Sequence, residues 1–131
     1  MTSRLDRLKK LLAVQEQLKA LHETRHAGFV AEAAGARREA DDLVDRFNAD
    51  DSLANFFPEI YHRRIGAALV REEANRAMAQ TEATRVATAT LRTNMVERAH
   101  AEVRRKNDRE KGDRERLDML GQLPPAERRG K

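Results

Sequence analysis

Cysteine and tryptophan are missing from the chain, and Tyr61 with four phenylalanines supplies every aromatic ring. Without cysteine there are no disulfides, no thiolate chemistry and no cysteine-based zinc site. Aromatics at 4% against charged residues at 37% leave too few large apolar side chains to fill a compact interior. Proline occurs only at 58, 124 and 125, so nothing forbids helix over the long stretches before and between those positions. No apolar run approaches the ~20 residues of a membrane span. The opening Met-Thr-Ser-Arg-Leu-Asp-Arg-Leu carries charge where a signal peptide needs apolar residues. The expectation is a cytoplasmic chain with no direct membrane insertion. A phosphate-binding loop, a Ser/His/Asp set and any other nucleophile motif are also missing, which points to a non-enzymatic protein with no cofactor and no small-molecule substrate.

What is present is Ala, Glu, Arg and Leu, all strong helix formers, in proportions typical of long helices or coiled coils. The one clear break lies between Asn48 and Glu59, where Asn, Asp and Ser compete with helix by bonding locally to the backbone and Pro58 follows. The expected fold is all-α: residues 1–121 form an antiparallel coiled-coil hairpin. Its first helix spans about 3–48, its bend 49–58, and its longer return helix about 59–121. Residues 122–131, with Pro124 and Pro125, read as a disordered tail. Ser3 is the expected N-cap of the first helix, with Asp6 completing a loose capping box. Pro58 suits the first turn of the second helix, where its missing N–H is not needed.

The apolar spacing sets an expected register. Leu5, Leu8 and Leu12 step by three and four, Leu11, Leu18 and Leu21 widen that stripe, and Phe29, Ala33, Ala36, Ala40, Leu43 and Phe47 continue it. On the return helix the apolar positions taken for the seam are Ile60, Ile65, Leu69, Ala74, Met78, Val86, Leu91, Met95, Ala99 and Val103. Folding at the break then sets Phe47 against Ile60, Leu43 near Ile65, Phe29 against Met78, Leu12 against Met95 and Leu5 near Val103. Gly28 and Gly35 weaken the first helix but would let a partner helix come close. From Arg104 to Arg116 there is no apolar residue. Leu117, Leu120 and Leu123 then form a short apolar edge that has no counterpart in the hairpin.

Four features are candidates for chemistry or recognition. His22-Glu23-Thr24-Arg25-His26 fits the HExxH pattern, which places two histidines on one helix face. Arg25 inside the pattern, and Phe29 where the extended His-x-x-Gly-x-x-His pattern needs glycine, argue for a solvated or seam pair instead. The net charge is +4, and it is unevenly placed: residues 1–10 hold four basic residues and one acid, 104–131 hold ten basic and six acidic, and the middle is left at −3. A hairpin brings both ends together, so a rod with one basic end is expected. Acids interleave with the run from Arg104 to Arg116, as on a solvated helix laced by i,i+4 pairs, and no stacking aromatic accompanies it. That argues for an acidic protein surface over nucleic acid. Phe56, Phe57, Ile60 and Tyr61 gather at the bend, either as a plug or as an exposed patch for a partner.

With these residues in view, the chain resembles the flagellar export and type III secretion ATPase stalk proteins. The likeness lies in the charged start with Leu5, Leu8 and Leu12 and in Gln15 and Glu16 on the first helix. It continues in the stretches Val96-Glu97-Arg98-Ala99-His100-Ala101-Glu102-Val103-Arg104-Arg105-Lys106 and Arg114-Glu115-Arg116-Leu117-Asp118 on the return helix. It covers about 1–120; Gly112 and the proline-containing tail depart from it. The resemblance implies a coiled-coil stalk that docks to a hexameric export ATPase through Arg4, Arg7, Lys9, Lys10, Arg104, Arg105 and Lys106. It also implies contact with a membrane export-gate protein, for which Phe56, Phe57, Ile60 and Tyr61 are the candidates. The alternatives are a generic coiled-coil scaffold or secretion chaperone and, third, a basic helical nucleic-acid binder.

Overall fold

A computed structural model describes residues 3–50 and 53–123. Helix α1 runs Arg4–Asn48, a 3-10 turn covers Leu53–Phe56, and helix α2 runs Pro58–Gln122. The fold is all-α, a helical hairpin whose return helix is the longer, 65 residues against 45. Each helix end falls within one residue of expectation. Asp51 and Ser52 of the bend and residues 124–131 of the expected tail lie outside the described residues.

The ends are set by local chemistry. The Asp6 N–H donates to Ser3 Oγ at 3.1 Å, and the Arg7 N–H reaches the Ser3 carbonyl at 3.1 Å. The first of these satisfies one of the four orphan donors at the start of α1, the second is the first bond of the helix itself, and Asp6 sits where the helix dipole favours an anion. α1 closes through a bond from the Ala49 N–H to the Arg46 carbonyl, 3.3 Å. α2 opens on Pro58, with the Phe57 carbonyl accepting from Ile60 N–H at 3.2 Å and Tyr61 N–H at 3.4 Å, and Glu59 lies in the first turn.

The chain divides into two compact units: Glu16–Thr90, called here the bend unit, and a terminal unit made by the start of α1 and by α2 from Leu91 onward. In the bend unit the helices run antiparallel. His22 pairs with Glu82, Glu39 with Arg71 and Phe47 with Tyr61, so residue numbers fall along α2 as they rise along α1. Most covered positions alternate by three and four: 19, 22, 26, 29, 33, 36, 40, 43 and 47 on α1, and 61, 65, 68, 72, 75, 79, 82, 86 and 89 on α2, with Gly35, Glu39, Ala83 and Thr90 partly covered at the borders of that stripe. The terminal unit has the same rhythm at 5, 8, 12 and 15 and at 93, 96, 100 and 103. Two helices stay in contact over this length only if the facing residues repeat every 3.5.

That phase corrects which residues of α2 face α1, while the level at which the helices pair is the expected one and Leu43, Ile65, Leu5 and Val103 stay on the covered side. Ile60, Leu69, Ala74, Met78, Leu91 and Met95 are exposed, while α2 presents Ala68, Glu72, Asn75, Ala79, Glu82, Ala89 and Thr93 to the seam. Phe47 therefore meets the rings of Tyr61 and His62, at 6.1 and 5.2 Å, and not Ile60. Leu12 and Phe29 do not have Met95 and Met78 opposite them, because both methionines point outward. Leu11, Leu18 and Leu21 are likewise exposed, outside the stripe they were expected to widen. These large apolar residues lie off the 3.5 phase that the rest of the stripe keeps. Gly28 serves no close approach either: a Cβ there would meet nothing within 4 Å, and at Gly35 only the Arg38 side chain at 3.8 Å.

Candidate partner-binding surfaces

Two sorts of site emerge, one inside the seam and one on the surface. Inside the bend unit, Glu82 is 2% exposed. Its Oε2 accepts from His22 Nδ1–H at 2.7 Å and its Oε1 from Arg85 at 2.8 Å. Burial pushes this carboxyl up, but the hydrogen bonds from His22 and Arg85, reinforced by their charge, prevail and hold it below the ordinary carboxylate value. Nearly three turns away on α2, Glu72 is buried between Arg37 and Arg76, each 3.8 Å from its Oε1, and its Oε2 has no hydrogen-bond partner. Asn75 satisfies its amide on the Arg71 carbonyl at 2.9 Å.

The HExxH pattern falls on this seam. His22 and His26 are both half-buried, and the Nδ1 of His22 is committed to Glu82. Among the described residues no three His, Asp or Glu side chains gather as a metal site would require. No helix is long and apolar enough to cross a membrane.

The seven basic residues expected to touch a partner all lie in the terminal unit, and all are exposed. None of Arg4, Arg7, Lys9, Lys10, Arg104, Arg105 and Lys106 takes part in an ion pair among the described residues. From Arg104 to Lys111 every side chain is exposed, as the loss of apolar residues implies. Beyond it Leu117, Met119 and Leu120 stand open to solvent, and Met119 and Leu120 with Arg116 and Leu123 line a shallow depression of about 320 Å³. The bend cluster separates. Phe56, 75% exposed, Phe57 and Ile60 face outward, whereas Tyr61 is half-buried against Phe47.

Glu82 and Glu72 did not stand out in the sequence, because a charged residue on a charge-rich helix carries no mark of burial; the 3.5 phase run forward from Tyr61 is the signal that finds them, and Arg85 follows as the cation one turn beyond Glu82. Comparison with protein-family models, curated proteins and solved structures finds no match for this chain.

Proposed function

We propose that the protein is a non-enzymatic coiled-coil adaptor, a stalk that docks to a hexameric export ATPase and links it to the export gate. The observation that carries this reading is the set of unpaired, exposed cations in the terminal unit. In that unit the start of α1 contributes Arg4, Arg7, Lys9 and Lys10, and α2 contributes Arg104, Arg105 and Lys106. Exposed cations that outnumber the neighbouring acids and are tied up in no ion pair among the described residues can steer and hold an acidic partner. The stretch of α2 from Arg104 to Gln122, roughly 28 Å at ~1.5 Å per residue, carries no covering helix on any of its charged positions and supplies the reach that docking needs. Phe56, Phe57 and Ile60 are the surface offered to the second partner, with Tyr61 reserved for the seam.

A second reading, a scaffold or secretion chaperone within a larger helical bundle, is favoured by a separate observation: Leu18, Leu21, Leu69, Val70 and Met78 in the bend unit are exposed aliphatics. ATP hydrolysis by the purified hexameric export ATPase of the same cell separates the two. Added protein raises the rate on the stalk reading, and Glu at Arg104, Arg105 and Lys106 together abolishes the increase. An ATPase indifferent to the unmodified protein leaves the scaffold reading standing in its place.

A further inference from the structure

The terminal unit has two unlike flanks. One is made by the residues that immediately precede each seam residue: Arg4, Arg7, Leu11 and Val14 on α1, and Arg92, Met95, Ala99 and Glu102 on α2. In an antiparallel pair these positions lie on the same side. Glu39 and Arg71 hold the same phase in the bend unit, immediately before Ala40 and Glu72, and they are paired there. On this flank Leu11 and Val14 are about half exposed and Met95 is 69% exposed, with Leu91 at its back edge. The cations around them are Arg4, Arg7 and Arg92, joined at the back by Lys10 and Arg98; none is in an ion pair among the described residues, and Glu102 is the one acid. The other flank, made by residues that follow each seam position, balances Asp6 and Glu97 against Lys9 and Arg104 and carries no large aliphatic.

From this asymmetry we infer that the Leu11/Val14/Met95 flank binds one amphipathic helix of another protein, apolar in its centre and acidic along its edges. The aliphatics come from two neighbouring helices at the three-and-four spacing of the seam itself, which is the arrangement that receives the side chains of a third helix. Five cations against the single carboxylate of Glu102 on this flank call for acids on the occupant. They also disfavour a second copy of this chain, which would bring its own five cations to the contact. Glu102 in the same row disfavours a lipid surface, where a carboxylate at the apolar boundary has neither a cation of its own nor water. The inference rests on the reading of this unit as a protein-docking end, and it names what the docked element must look like, whichever protein carries it.

The test uses the full chain and two synthetic peptides of about 21 residues, with Leu at alternating three-and-four spacing. One peptide has Glu at every flanking position and the other has Lys. Fluorescence anisotropy at low salt should show binding of the Glu peptide, weakening as salt is raised, and none of the Lys peptide. Met95→Glu and Leu11→Glu should each weaken the Glu peptide at least tenfold, while Val30→Glu, exposed in the bend unit, leaves it unchanged. Circular dichroism confirms that each variant keeps its helix. Equal binding of both peptides, or no binding of the Glu peptide, overturns the inference. So does a sedimentation-detected dimer that Met95→Glu dissolves, or capture by phosphatidylglycerol vesicles that Leu11→Glu prevents. Because this readout contains no ATPase, its failure and the failure of the stalk reading are told apart.

Discussion

The 3.5 phase of the seam is tested by exchanging the roles of a small buried residue and a large exposed one within the bend unit. Ala68 is 0% exposed and Met78 is 45% exposed. Ala68 falls in the interval of α2 between the Glu39–Arg71 and Phe47–Tyr61 contacts, where α1 presents Ala40 and Leu43, both buried. Ala68→Leu forces three extra carbons into a seam built for a methyl group and should cost about 1–3 kcal/mol through overpacking. Met78→Ala gives up only part of a side chain whose full burial would be worth ~1.5–3 kcal/mol, and alanine returns a few tenths through helix propensity. Its net cost should stay under about 1 kcal/mol. Had the seam been built on the largest aliphatics, the signs would reverse: Ala68→Leu would add burial at a flank, and Met78→Ala would cost ~2–5 kcal/mol. Urea unfolding followed by circular dichroism, with the slope held constant, measures both. An Ala68→Leu protein more stable than the parent, beside a Met78→Ala protein destabilised by over about 2 kcal/mol, would refute the phase assigned here.

Further predictions concern the polar seam and the glycines. Glu82 has its carboxyl held down in the fold, so the stability it confers is present above the unfolded-state value, near pH ~4.3, and is lost as pH falls through the lower native value. Urea midpoints between pH 7 and pH 3 should therefore fall less steeply for Glu82→Gln than for the parent; parallel curves would contradict the pairing. Glu72 is buried with an oxygen lacking a hydrogen-bond partner, and an apolar replacement of a buried charge is often neutral or stabilising. Glu72→Leu should thus leave stability unchanged or raise it by about 1 kcal/mol; a loss above ~2 kcal/mol in the same assay would mean that Arg37 and Arg76 hold it more firmly than 3.8 Å suggests. A Cβ at Gly28 or Gly66 meets nothing within 4 Å, so each Gly→Ala should stabilise by roughly 1 kcal/mol through helix propensity alone, read as a higher thermal midpoint.

Much of the fold was legible because it depends on local chemistry. Ser3 and Asp6, the Asn/Asp/Ser run and Pro58 act on their own backbone, so they locate α1 and α2 without any knowledge of what packs where. The seam was less legible. Along α1 the rule that large apolar residues face inward succeeds at Leu5, Leu8, Leu12, Leu43 and Phe47, where size and phase coincide. Along α2 they diverge: Leu69, Met78, Leu91 and Met95 are large but out of phase, while Ala68, Glu82 and Thr93 are in phase but small or polar. Size is visible residue by residue, whereas phase is visible only over many turns. The exposed cations of the terminal unit were legible because charge asymmetry is a sum over sequence. The apolar flank beside them was missed, because Met95 had been assigned to the inside.

The division of labour between these two sets of residues has a physical consequence for assembly. An alanine-rich seam buries little area per residue, and at ~25 cal/mol per Å² it gives correspondingly little stabilisation. Its specificity must come from groups that tolerate one arrangement only. Glu82 supplies that: sliding α1 by one heptad would withdraw His22 and leave a buried carboxylate supported by Arg85 alone, a costlier state than any loss of methyl contacts. The Leu and Met side chains freed from the seam are then available on the outer faces, where they can join partners without competing with the fold. A replacement that makes the seam more apolar, such as Glu82→Leu with His22→Leu, should therefore raise the unfolding midpoint yet admit more than one register. Disulfide trapping between cysteines placed at 39 and 71 should reach completion in the parent and only partial yield in that double variant. Full trapping in both would show that the alanine spacing alone fixes the register.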